Sequence, residues 1–191
     1  MNAGGSRGGC LSSLVLVVVL LAAACLAFVY SGAYDVAATQ PHSRAERWLL
    51  RTLMERSVRA RVDDVAEPPD ESDELLAVGF HHYEEMCVVC HGAPGVERSE
   101  IGEGIEPEPP DLAETAGDWT LPGIFLITSQ GIKMAGMPAF GPTHSEEEIW
   151  GISMFVERLP EIDASEYARL RAEAQGESES AESEPSHSHT H

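Results

Sequence analysis

The run Cys87-Val88-Val89-Cys90-His91 restricts this chain more than any other five residues in it. Two cysteines three apart fall on one side of a helical turn, so both sulfurs can reach a single planar group, and the following histidine is carried to the same place. C-x-x-C-H in this order is the attachment sequence of c-type haem: each thiol forms a thioether to one vinyl group, and the imidazole stands over the iron as an axial ligand. The reading is one covalent haem c on Cys87 and Cys90, with His91 as proximal ligand.

Two other chemistries use C-x-x-C. A zinc site wants further Cys or His ligands at matching spacing, and the remaining cysteines, Cys10 and Cys25, lie in or beside an apolar run. A thioredoxin-like redox pair wants a βαβ context, which the neighbouring sequence does not offer. Nor do the four cysteines read as a disulfide framework.

Residues Leu11 to Tyr30 carry no charge, and about 20 apolar residues are what a helix needs to span a bilayer. A cleaved signal would have a shorter core ending at small residues. Here the core runs into Phe28, Tyr30 and Tyr34, which suit an interfacial belt, so an uncleaved anchor at 11–30 behind a short cytoplasmic head at 1–10 is expected. A buried core helix this apolar would need a larger protein to cover it. A lipoprotein site at Cys25 is disfavoured because the apolar run continues past it. Charge gives little orientation, since the head carries only Arg7 while many arginines follow the span. Covalent haem attachment takes place outside the cytoplasm, and places the haem domain on the periplasmic side of the inner (plasma) membrane.

Residues 31–72 form a connecting region. After Pro41, the residues Leu50, Leu53, Met54, Val58, Val62 and Val65 recur at largely helical spacing among Arg44, Arg47, Arg51, Arg56, Arg59 and Arg61. Such a helix, with Trp48, either lies along anionic headgroups or packs on the domain that follows. The run Ala66 to Asp73, with Pro68 and Pro69, breaks it and marks the expected domain boundary. From Glu67 to Pro160, nineteen acids face Arg98, Lys133 and Arg158, which argues against nucleic acid; such a surface either steers redox partners with a basic docking face or serves general solubility or a salty medium. Residues 161–191 start with a short helical stretch through Tyr167 and Leu170. They then become an acidic Ser/His-rich tail of disordered composition, whose His187, His189 and His191 make a poor fixed metal site.

Inside 73–160 the lead-in Glu74 to Cys87 is helical, with Leu75, Leu76, Gly79, Phe80 and Tyr83 as one stripe. The gap at Gly79 lets a second helix cross closely. The partner is Glu146 to Leu159: Ser145 and Glu148 make a capping box, Ile149, Ile152, Val156 and Leu159 repeat, and Pro160 ends it. Trp150 and Phe155 fill the crossing or the haem edge. His81 and His82 share the helix of Cys87 and are read as surface or core residues. A short helix Leu121 to Gln130, closed by Gly131, leads into Ile132-Lys133-Met134-Ala135-Gly136-Met137-Pro138-Ala139-Phe140-Gly141. A methionine thioether closes the second axial position and raises the reduction potential. Met137 is the choice, since Gly136 lets the backbone approach and Pro138 stiffens the loop. Met134 is the second candidate. If both only pack on the haem, the iron is open or takes a histidine such as His144.

With C-V-V-C-H-G early, G-M-P-A-F late and a capped last helix ending in L-P, residues 73–160 resemble the class I monohaem cytochrome c family. The resemblance implies an all-α fold with crossing terminal helices, haem in the crevice, Cys87 and Cys90 as attachment sites, His91 as proximal ligand and Met137 as distal ligand. The acidic, proline-rich loop Glu103 to Asp111 departs from compact members, and Trp119 is a candidate for reaching a propionate. The expected function is a membrane-anchored, one-electron carrier of a bacterial respiratory chain, performing no bond-making chemistry. The alternatives are a cytochrome subunit of a larger membrane oxidoreductase, or a haem enzyme or sensor with an open or labile distal site.

Overall fold

The computed structural model describes the backbone of residues 6–182 and the side chains of 11–176. His187, His189 and His191 lie outside the described residues. The chain is all-helical there: the only extended pairing among the described residues is an isolated bridge between Ala93 and Val96. Two compact units divide after Gln40.

The first unit holds α1 (Ser6–Ser31), whose stretch Leu11–Ser31 is long and apolar enough to cross a membrane and is exposed throughout. Nothing on its surface favours one face, as expected of a helix whose surroundings are uniformly apolar.

The second unit opens with α2 (Arg44–Arg59), started by a capping box in which Ser43 and Glu46 satisfy each other's backbone N–H groups. Its residues 46, 50, 54 and 58 turn towards the unit, Val58 being buried. The Arg61 guanidinium donates to Gln130 at 2.7 Å, and the Arg59 guanidinium sits 5.9 Å over the Trp119 ring. The unit thus begins upstream of the boundary expected at 66–73: the Pro68-Pro69 run is a connection within it, because the apolar stripe ahead of that run has found its cover there.

α3 (Asp73–His82), capped by Ser72, crosses α8 (Glu146–Arg158), capped by the Ser145/Glu148 box. The crossing is closer than any side chain would allow. A Cβ on Gly79 would lie 2.0 Å from the Gly151 carbonyl oxygen, and one on Gly151 would lie 2.7 Å from that of Leu75. Around this contact Phe80 meets Phe155 edge-on at 5.3 Å, and Tyr83, Ile149, Ile152 and Leu159 are buried. Trp150 is also buried and stacks on Phe125 of α7 (Leu121–Gln130) at 4.1 Å.

The stretch through Tyr167 and Leu170, read as a short helix, lies in a longer one. α9 (Ala164–Glu182) buries Tyr167 to 1 % exposure among Phe80 and Phe155. Tyr167 donates from its hydroxyl to Glu84, and Arg171 holds both oxygens of the same carboxylate at 2.8 and 2.9 Å. A long-range aromatic docking and a bidentate ion pair order a segment whose composition alone favours solvent.

Candidate functional site

The helix that begins as α3 does not run evenly into the cysteines. Residues Tyr83–Cys87 form a wide π turn, followed by α4 (Val88–His91). The extra residue rotates the downstream face by about 100° relative to α3. This leaves Tyr83 pointing into the core, where burial pushes its phenol up and its hydroxyl donates to the Gly92 carbonyl at 2.7 Å. Gly92 stops the helix at φ +68, and a Cβ there would come 2.7 Å from the Val96 carbonyl. Only glycine satisfies both conditions cheaply.

His91 is fixed by its Nδ1, which lies 2.8 Å from the carbonyl oxygen of Pro110. A carbonyl only accepts, so Nδ1 carries the proton and donates, and the Nε2 lone pair is left for a metal. Burial, the larger influence, pushes the imidazole pKa down, while the Pro110 hydrogen bond pulls it up. The ring is neutral at physiological pH, the form in which histidine ligates.

Cys87 and Cys90 are free thiols on the turn just before it. Burial, with Cys90 beside it, pushes the Cys87 thiol up to about 12. Such a thiol is protonated at neutral pH, the opposite of the activated thiolate that a redox pair or nucleophile requires. Among the described residues no three His, Cys, Asp or Glu side chains gather into a metal-holding group. The donor set here is therefore two half-buried thiols and one oriented imidazole, suited to covalent and axial attachment of one group. It does not suit a tetrahedral ion.

The stretch after the attachment sequence folds back on it. Ser99 bonds the Val89 carbonyl through both its backbone N–H and its hydroxyl. Gly102, in α5 (Glu100–Glu103), lies so near Cys90 that a Cβ would come 2.9 Å from the cysteine Cα. Arg98 donates to the Pro109 carbonyl and pairs with Glu108 at 2.8 Å. The acidic, proline-rich loop is thereby pinned at its far end, beside the Pro110 that holds His91.

Met137 is half-buried in the loop after α7. Its carbonyl accepts from the Ile132 N–H, and Phe140 and Gly141 donate back to Thr128 and Ser129 of α7. Gly131 turns at φ +64 against Pro138, and a Cβ on Gly136 would strike Ile105 at 2.6 Å. One loop, residues 105–110, thus touches both predicted ligand segments, holding His91 at Pro110 and backing Met137's neighbour at Ile105. Met134 stands apart, 79 % exposed with φ 60.

His82 and His144 meet each other edge-on at 5.1 Å, and His144 Nδ1 is within reach of Thr143 and Phe140. His81 is exposed beside Glu85. Sequence reasoning missed the Pro110 carbonyl, Ile105 and the Glu84–Tyr167–Arg171 group. A backbone carbonyl leaves no mark in sequence, whereas Glu84 three before Cys87 was readable only as a surface acid.

Residues 74–156 match the family model described as cytochrome c oxidase, cbb3-type, subunit III. The match spans α3 to α8 and leaves α1, α2 and α9 outside it. No curated protein matches the chain.

Proposed function

From the standing of residues 74–156 as a domain of the class I c-type cytochrome family, which makes this a haem c electron-transfer protein, we propose that it is a membrane-anchored monohaem carrier of a bacterial respiratory chain. Cys87 and Cys90 hold the haem by thioethers, and His91 and Met137 are the axial ligands. The observation that carries the reading is the His91 imidazole, presented at the end of the C-x-x-C-H turn with Nδ1 committed to Pro110 and Nε2 left to bind iron. When bound, haem c supplies a one-electron couple between ferric and ferrous iron.

The protein's own residues do the rest. The Pro110 hydrogen bond fixes the tautomer and orientation of His91 and raises its basicity. Met137 offers a neutral sulfur that favours ferrous iron, and its half-buried place, against the exposed Met134, supports the choice between them. With His91 and Met137 both holding the iron, the haem would offer substrate no open position and would serve electron transfer. The exposed apolar helix Leu11–Ser31 supports a single-pass anchor, and thioether maturation outside the cytoplasm puts the haem domain on the periplasmic side.

A second reading is favoured by the wording of the matched family, which describes a subunit of an oxidase. On that reading the chain is the cytochrome subunit of a larger membrane oxidoreductase. Mild-detergent purification separates the two: a lone chain supports the free carrier, and a partner in fixed ratio supports the subunit.

The ligand assignment is tested by optical spectra of the haem-loaded full chain beside Met137→Ala and Met134→Ala. The parent is expected to be low-spin with an iron–methionine charge-transfer band that Met137→Ala abolishes and Met134→Ala leaves intact. A band that survives Met137→Ala and disappears in Met134→Ala moves the ligand. High-spin iron in the parent replaces the carrier reading with ligand chemistry.

A further inference from the structure

α2 has two apolar faces, and only one of them is used within the unit. Residues 46, 50, 54 and 58 pack inward. Ala45, Trp48, Leu49, Thr52, Leu53 and Arg56 follow the i, i+3, i+4, i+7, i+8, i+11 spacing of a second face. On it Trp48, Leu49 and Leu53 are 68, 49 and 58 % exposed. A soluble carrier has no reason to hold a tryptophan and two leucines in water on one helix face.

The charge around this face is the reverse of the rest of the protein. The chain has a net charge of -20, yet 44–61 holds six of its twelve basic residues against Glu46 and Glu55 alone. Arg51 is paired with Glu55, Arg59 covers Trp119 and Arg61 bonds Gln130. Arg47, on the side of Leu50, Met54 and Val58, acts on Glu106, whereas Arg44 and Arg56 are exposed, Arg56 beside Glu55. Residues 32–43, which join α1 to α2, span at most about 40 Å when extended.

From these features, and resting on the reading of Leu11–Ser31 as a membrane span, we infer that the outer face of α2 docks on the anionic phospholipid surface of that same membrane. Trp48, Leu49 and Leu53 enter the interfacial layer, Arg56 on the same face meets the lipid phosphates, and Arg44 reaches them from the flank. Because α2 is joined to the α7 end through Arg61–Gln130 and to the 105–110 loop through the His42–Glu106 contact at 2.8 Å, docking fixes the orientation of the haem domain. The presented haem edge is then the one that faces membrane-bound redox partners.

The test is hydroxyl-radical footprinting of the haem-loaded full chain in nanodiscs of phosphatidylcholine alone or mixed with phosphatidylglycerol, with exposed Met134 as the internal dose reference. Modification of Trp48 and Leu53 should fall at least about fivefold in the anionic discs at low salt. It should return towards the phosphatidylcholine rate at high salt, and remain high in an Arg44→Gln/Arg56→Gln variant. Equal modification in both discs overturns the docking while the anchor stands. Protection indifferent to lipid charge and salt overturns it too. Protection seen only in native membranes points to a protein partner and overturns the lipid assignment. A chain that fails to co-elute with the discs overturns the anchor reading and this inference together.

Discussion

Gly79 is the residue whose replacement should be felt most. Its missing Cβ leaves room for the Gly151 carbonyl, 2.0 Å from where that atom would be, and backbone cannot step aside as a side-chain tip can. Gly79→Ala should cost about 3 kcal/mol or more, the upper range for overpacking, seen as a lowered guanidinium midpoint of the holoprotein. Glu148 tests electrostatics at the same scale. The Ser145 backbone N–H and hydroxyl, then His82 and His144, hold its carboxyl below the usual carboxylate range. A lowered folded pKa means that its contribution is complete above the unfolded value and is lost as pH falls through the folded one. Glu148→Gln keeps a residue that can close the capping box but removes the titration. The stability difference between parent and variant should therefore be constant at neutral pH and shrink on acidification below about pH 4.5, measured by unfolding at stepped pH.

At the scale of elements, α9 is the segment whose role most depends on the rest of the fold. Tyr167 fills the space between Phe80 and Phe155, and its helix is locked by Arg171 on Glu84, three residues before Cys87. Tyr167→Ala should destabilise the holoprotein by about 3–5 kcal/mol, in the range for deleting a buried aromatic. Arg171→Ala should cost much less, because that ion pair is partly exposed. Thermal unfolding of the two variants ranks them. The α3–α8 pair, its caps and α7 with Gly131 could be read from the chain, since caps, glycine stops and 3.6-residue periodicity are local. The π turn at Tyr83–Cys87 could not: it is imposed by the need to bury Tyr83 while presenting the cysteines elsewhere.

For the molecule as a whole, charge governs encounter. With a net charge of -20, bimolecular electron transfer to a basic partner should be fast at low ionic strength and slow steeply as salt is added. With an acidic partner the trend should invert, and stopped-flow rates at several salt concentrations distinguish the two. Docking of the basic α2 would take that one helix out of the encounter and leave the acidic remainder to choose the partner.

The attachment sequence, the apolar run and the capped helix that crosses a glycine gap were determined by the sequence itself, because each rests on residues adjacent or one turn apart. Tertiary structure alone decided which carbonyl orients His91, nineteen residues away at Pro110, and that Ile105 backs the glycine before Met137. It also decided that α2 and α9 belong to the domain they flank. Those outcomes turn on backbone groups, which every residue carries alike, and on pairings across tens of residues, which no local pattern encodes.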